Sequence, residues 1–148
     1  MKADAMFSQF AKMNGINERE YDAFSFGCDA DFLASLVLQG KKTATSSAYD
    51  LYLHENAPLP QVGAYSVVTD SREEAVCVIR TTLVYICAFD KVAPLHAAKE
   101  GEGTFAEWKK AHEAFFTCEF EKAGLEFNKK IPVVCEEFEV VYPKKEEL

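Results

Sequence analysis

The sequence predicts an α+β fold, a small sheet curled toward a barrel with helices packed beside it. Three observations predict it. Two runs rich in β-branched and aromatic residues, "AVCVIRTTLVYICAF" (75–89) and "IPVVCEEFEVVY" (131–142), have the composition of strands. Between them "TFAEWKKAHEAFFTCEFEKAG" (104–124) carries apolar residues at helical spacing. Shorter strand and helix signals alternate through the first half of the chain.

Taken in order, residues 3–13 have helical periodicity that stops at Asn14-Gly15, and "YDAFSFG" (21–27) reads as a connector. A second helix, "ADFLASLVLQG" (30–40), aligns Phe32, Leu33, Leu36 and Val37 and ends on Gly40, with Lys41 and Lys42 where a helix C-terminus favours cations. "TATSS" (43–47) starts a strand, followed by a loop through Pro58 and Pro60. "VGAYSVVTDS" (62–71) is a strand between turns at Gly63 and Asp70-Ser71. The 75–89 run is one long bent strand or two, and "DKVAPLHAAKEGEG" (90–103) is a short helix with a Gly-rich break. Thr104 and Glu107 form a capping box for the helix whose stripe is Phe105, Trp108, Ala111, Phe115 and Phe116. After the last strand the "PKKEEL" tail is solvated. No repeat or linker divides residues 1–148, so one domain is expected, with its N-terminal helix at about 3–13.

The net charge of −8 excludes a protein that neutralises a long phosphate backbone, and no DNA partner is expected. A small nucleic-acid-like ligand in a locally basic pocket stays compatible with it. Cys28, Cys77, Cys87, Cys118 and Cys135 form no CxxC pair and are odd in number, which points to buried, reduced thiols. His54, His96 and His112 show no ligand spacing to them, so neither a metal nor any other cofactor is expected. No run approaches the roughly 20 apolar residues of a membrane span and no signal-peptide pattern opens the chain. A cytoplasmic protein without membrane partners is expected; the oligomeric state is not legible.

Two stretches can carry chemistry. In "GKKTATSS" (40–47) one reading is a capped helix entering an ordinary strand; the other is a hydroxyl with its base. A lysine serves as base when burial or a neighbouring cation, here Lys41 beside Lys42, weakens its hold on the proton. In a straight strand Lys42 and Thr45 point to opposite faces, so they converge only if the chain is still turning at Lys42. In "KEGEG" (99–103), Glu100 and Glu102 are either loop charges or a carboxylate held by close backbone, able to act as acid or to position an amine.

"YDAFSFG" (21–27), "ADFLASLVLQGKKTATSS" (30–47), "PLPQVGAYSVV" (58–68), "EGEG" (100–103) and "FAEWKKAHEAFF" (105–116), in that order, resemble the ASCH family of PUA-like β-barrel domains. Its Gly-x-Lys-x-x-Thr motif is met by Gly40, Lys42 and Thr45. The resemblance implies a small PUA-like barrel flanked by helices, with a cleft beside the motif for a small-molecule nucleoside or RNA. It further implies an amidohydrolase deacylating N4-acylcytidine-type nucleosides, with Thr45 as nucleophile, Lys42 as its base and Glu100 as third member. Glu102 is the alternative third member. Phe24, Phe26, Gly40, Lys41, Tyr49 and Glu102 would line the substrate site, and backbone N–H groups after Gly40 would face the oxyanion. An RNA-binding module, or a ribonuclease, using the same cleft is the alternative.

Overall fold

In the computed structural model, residues 1–144 are described. Five strands, β1 (Asp22–Phe24), β2 (Ala44–Ala48), β3 (Tyr65–Thr69), β4 (Ala75–Ala88) and β5 (Pro132–Tyr142), form one sheet in the order β1-β3-β4-β5-β2. β1 runs parallel to β3 and every other pair is antiparallel. The sheet curls into a half-barrel whose open edges are β1 and β2. The curl brings the Asp22 charge of β1 to bear on Glu136 of β5, although β3 and β4 lie between those strands. Register shifts at Val78/Ile79 and Thr81/Leu83 bend β4, so the 75–89 run is a single bulged strand.

The helices are α1 (Ala3–Asn14), α2 (Ala30–Leu38), α3 (Tyr49–Glu55), α4 (Pro94–Glu100) and α5 (Phe105–Lys122), with a 3-10 turn at Phe89–Lys91. Alternation along the strands divides the core. Val133 and Cys135 of β5 pack with Trp108, Phe116 and Phe120 of α5, whereas Phe138 packs with Ala34 and Val37 of α2. Met6, Phe7 and Phe10 of α1 cover Val67 and Val78. The predicted capping box is formed in full, Thr104 Oγ1 accepting from the Glu107 N–H and Glu107 from the Thr104 N–H.

Three expectations are corrected. The connector at 21–27 contains a strand, because Asp22–Phe24 pair with Ser66–Val68. The loop expected after "TATSS" begins with α3, which has no side-chain N-cap on Ala48 and so lacks the usual starting signal. Cys77 and Cys135 are buried and all five thiols are free, but Cys28 and Cys118 are exposed. Among the described residues no helix is long and apolar enough to cross a membrane. The tail beyond residue 144 lies outside the described residues.

Candidate active site

The chain leaves α2 by turning at Gly40, whose φ of 77° suits glycine. The N–H groups of Lys41 and Lys42 both return to the Leu36 carbonyl, at 2.9 and 3.1 Å, so the backbone is still turning at Lys42. The Thr43 N–H then donates to the Lys99 carbonyl at 2.8 Å, tying β2 to the end of α4. Gly101, at φ 71°, lies so close that an added Cβ would sit 2.4 Å from the Lys41 carbonyl oxygen. This contact sets Glu100 and Glu102 around the Lys42 side chain.

Lys42 is 1% exposed, and its three ammonium protons are matched by three acceptors: Ala44 O at 2.9 Å, Glu100 Oε1 at 3.2 Å and Glu102 Oε2 at 3.0 Å. Its Nζ also lies 5.2 Å from the Phe26 ring centroid. Glu100, equally buried, is the hub. Its Oε2 accepts from Ser46 Oγ at 2.6 Å and Trp108 Nε1 at 2.8 Å, with His96 Nε2 at 3.4 Å; His112 Nε2 lies 3.4 Å from Oε1. Burial alone would raise the Glu100 carboxyl, but hydrogen bonds from His112 and His96 and the charge of Lys42 outweigh it and hold it well below the carboxylate range. Glu102, with its side chain 25% exposed, is the half of the cage that meets solvent.

Ser46 Oγ donates to Glu100, so its 2.8 Å contact with His96 Nε2 is accepted from that nitrogen. His96 Nδ1 is buried without a hydrogen bond. The Ser–His contact therefore lacks the third group that would orient the imidazole for nucleophilic catalysis, and both residues serve to hold Glu100. Glu100, Glu102 and His112 place donor atoms within 4.8 Å of one another, as a metal site would, but the Lys42 ammonium already supplies the cation between the two carboxylates.

His112 donates Nδ1–H to the Trp108 carbonyl at 2.9 Å and stacks on the Trp108 ring with centroids 4.3 Å apart. Burial would lower its pKa, yet the hydrogen bond and charge of Glu100 more than offset this and raise it above the usual 6.5. A raised folded value means its stabilising contribution is complete below 6.5 and is lost as pH rises through the folded value. Melting His112→Gln beside wild type between about pH 6 and 9 should show the wild-type advantage shrinking toward the alkaline end. An advantage that stays constant would contradict this.

The structure thus brings together Lys42, Glu100, Glu102 and Phe26. Thr45 Oγ1 makes no hydrogen bond among the described residues; Thr45 is half-buried on β2 opposite Glu136, while Lys42 and Ser46 turn to Glu100. Phe24 meets Phe26 edge to face at 5.2 Å, and both also pack against the α2 core. Lys41 is exposed and Tyr49 opens α3. The expected oxyanion donors are not free: the N–H groups of Gly40, Lys41, Lys42 and Thr43 all donate to carbonyls. Sequence reasoning missed Ser46, His96, Trp108 and His112 as members of the cluster, although His96 to Glu100 and Trp108 to His112 each span one helical turn. A shallow hollow of about 730 Å³ lies elsewhere, along α5 at Lys109, Glu113, Thr117 and Cys118.

A half-barrel with a Gly-x-Lys-x-x-Thr turn at its open edge and helices packed against it is a PUA-like domain. The family model described as ASCH domain matches residues 22–142, and the chain belongs to the ASCH domain family. The solved ASCH domain from Lactobacillus crispatus is 33% identical, with a TM-score of 0.85 over 93% of this chain and 92% of that one. A solved protein from Enterococcus faecalis is also 33% identical, with a TM-score of 0.87 over 97% and 91%. No curated protein matches the chain.

Proposed function

We propose that this protein is an amidohydrolase of N4-acylcytidine-type nucleosides, with Thr45 as nucleophile, Lys42 as its proton acceptor and Glu100 fixing Lys42. The observation that carries the reading is a fully buried ammonium, caged by two carboxylates three residues from a free hydroxyl at the open edge of the sheet. Because all three of its protons are engaged, Lys42 acts by relay. It passes a proton to Glu102, the more exposed carboxylate, as it takes the one leaving Thr45. Thr45 Oγ1 bonds to the acyl carbon, the C–N4 bond breaks, and the amine leaves with that proton. Water then cleaves the acyl-threonine to the free acid. With the backbone N–H groups occupied, the Lys42 charge is the oxyanion stabiliser. Thr45 and Lys42 share no hydrogen bond in the free protein, so the transfer requires the two to approach in the substrate complex, where catalytic contacts commonly tighten.

An RNA-binding reading needs lysines free to meet phosphates. Here Lys42 is neutralised by its carboxylates and Lys99 is paired with Glu137 at 3.2 Å, which favours a small nucleoside. The test is release of cytidine from N4-acetylcytidine by wild type, Lys42→Ala and Thr45→Ala, beside a short RNA as competitor. Each substitution should lower kcat at least about 100-fold. Turnover that survives both would sink the assignment, and salt-sensitive RNA binding without turnover would replace it with the binding module.

A further inference from the structure

On the face of the sheet that carries Thr45 stands a second polar group, which shares no hydrogen bond or ion pair with the Lys42 cage. Glu136 of β5 is the direct cross-strand partner of Thr45, and such partners project to the same face. It is the face covered by α2, since Phe138, two residues further along β5, packs against Ala34 and Val37. Glu136 Oε2 accepts from the buried Thr81 hydroxyl at 2.7 Å; among the described residues Oε1 takes no hydrogen bond and no cation pairs with the carboxyl. Its neighbours along β2 are hydroxyls, with Ser47 Oγ and Tyr52 Oη in contact at 2.8 Å. Oε1 is not sealed in the core, so it is open to solvent and within reach of a ligand.

Resting on the nucleoside reading above, we infer that Glu136 reads the amine edge of the substrate's pyrimidine, accepting from N4–H and meeting N3 with its other oxygen. The position suits the chemistry: N4 is bonded to the acyl carbon that Thr45 attacks, and Thr45 and Glu136 stand opposite each other across two paired strands. Meeting N3, an acceptor, requires a proton on the carboxyl. Burial raises its affinity for one, the Thr81 hydrogen bond opposes this, and the Asp22 charge adds to it. A glutamine offers the same pair, an acceptor beside a donor, without needing the proton. Glu136 therefore sets specificity for a base with an N4–H and is distinct from the residues that handle the acyl group.

The experiment titrates wild type, Glu136→Gln and Glu136→Ala with cytidine and with N4,N4-dimethylcytidine, which lacks N4–H, by calorimetry, after melting curves establish that each variant is folded. Wild type should favour cytidine at least about tenfold, since a site left with an unpaired polar group rejects the analogue. Glu136→Gln should keep the preference within about threefold, and Glu136→Ala should lose it. Equal binding of the two nucleosides by wild type, no cytidine binding, or a preference retained in Glu136→Ala would overturn the inference. If wild type prefers cytidine but does not release it from N4-acetylcytidine, the hydrolase reading fails while the role of Glu136 stands.

Discussion

Replacing Glu100 by Leu is expected to destabilise the protein by roughly 3–5 kcal/mol, which lowers the melting temperature by on the order of 10 °C. The substitution removes one of Lys42's two counter-charges and the acceptor of Ser46 and Trp108, all at a site 1% exposed. Breaking one side of a buried pair costs more than the intact pair is worth, because a desolvated charge remains. The double variant Lys42→Met with Glu100→Leu should therefore lose less than the two single losses added together. Because the folded Glu100 carboxyl lies below 4.5, its contribution is present above that value and is lost only as pH falls through the lower folded one. The cost of Glu100→Leu should thus be flat from neutral pH down to about 5, opposite in its pH sense to the alkaline loss expected for His112. Urea unfolding of the four proteins checks this, and additive losses would show that Lys42 and Glu100 are not coupled.

Gly101→Ala should cost roughly 2–4 kcal/mol and at least about tenfold in turnover. The cause is double: φ is 71°, and the new methyl would meet the Lys41 carbonyl oxygen at 2.4 Å, a backbone atom that cannot swing aside. Relief comes only by moving the end of α4 away from the Gly40–Thr43 turn, which parts Glu100 and Glu102 from Lys42. Gly124→Ala is the control, since its φ is 72° but nothing lies within 4 Å. If the two glycine variants unfold at the same urea concentration and turn over equally, the close approach is not what holds the site.

Much of the fold was legible because its signals are local. The Thr104–Glu107 box, the stop at Gly40 and the β-branched runs of β4 and β5 each depend on neighbouring residues alone. α3 was not, because a seven-residue helix without a capping side chain, opening on Tyr-Asp-Leu-Tyr, carries no helical signature. β1 has three residues and exists only through its parallel pairing with β3. The site divides the same way. Lys42 and the Glu100/Glu102 segment stood out by residue type as separate candidates and were joined by the family resemblance, but the convergence of Ser46, Trp108 and His112 on Glu100 depends on how α5 docks. Glu136 became visible only through register, since a one-residue slip of β5 would turn it to the face opposite Thr45.

The strand that carries Thr45 is an edge, bonded on one side to β5 and open on the other. Edge elements with few backbone partners exchange their amide hydrogens through local openings that leave the remaining structure intact. Beside its ladder to β5, what ties β2 to α4 is the Thr43 N–H bond to the Lys99 carbonyl, the Ser46 hydroxyl bond to Glu100 and the charges gathered on Lys42. The polar cage thus serves as the latch of the sheet margin: the same contacts that arm the lysine decide how often that margin frays.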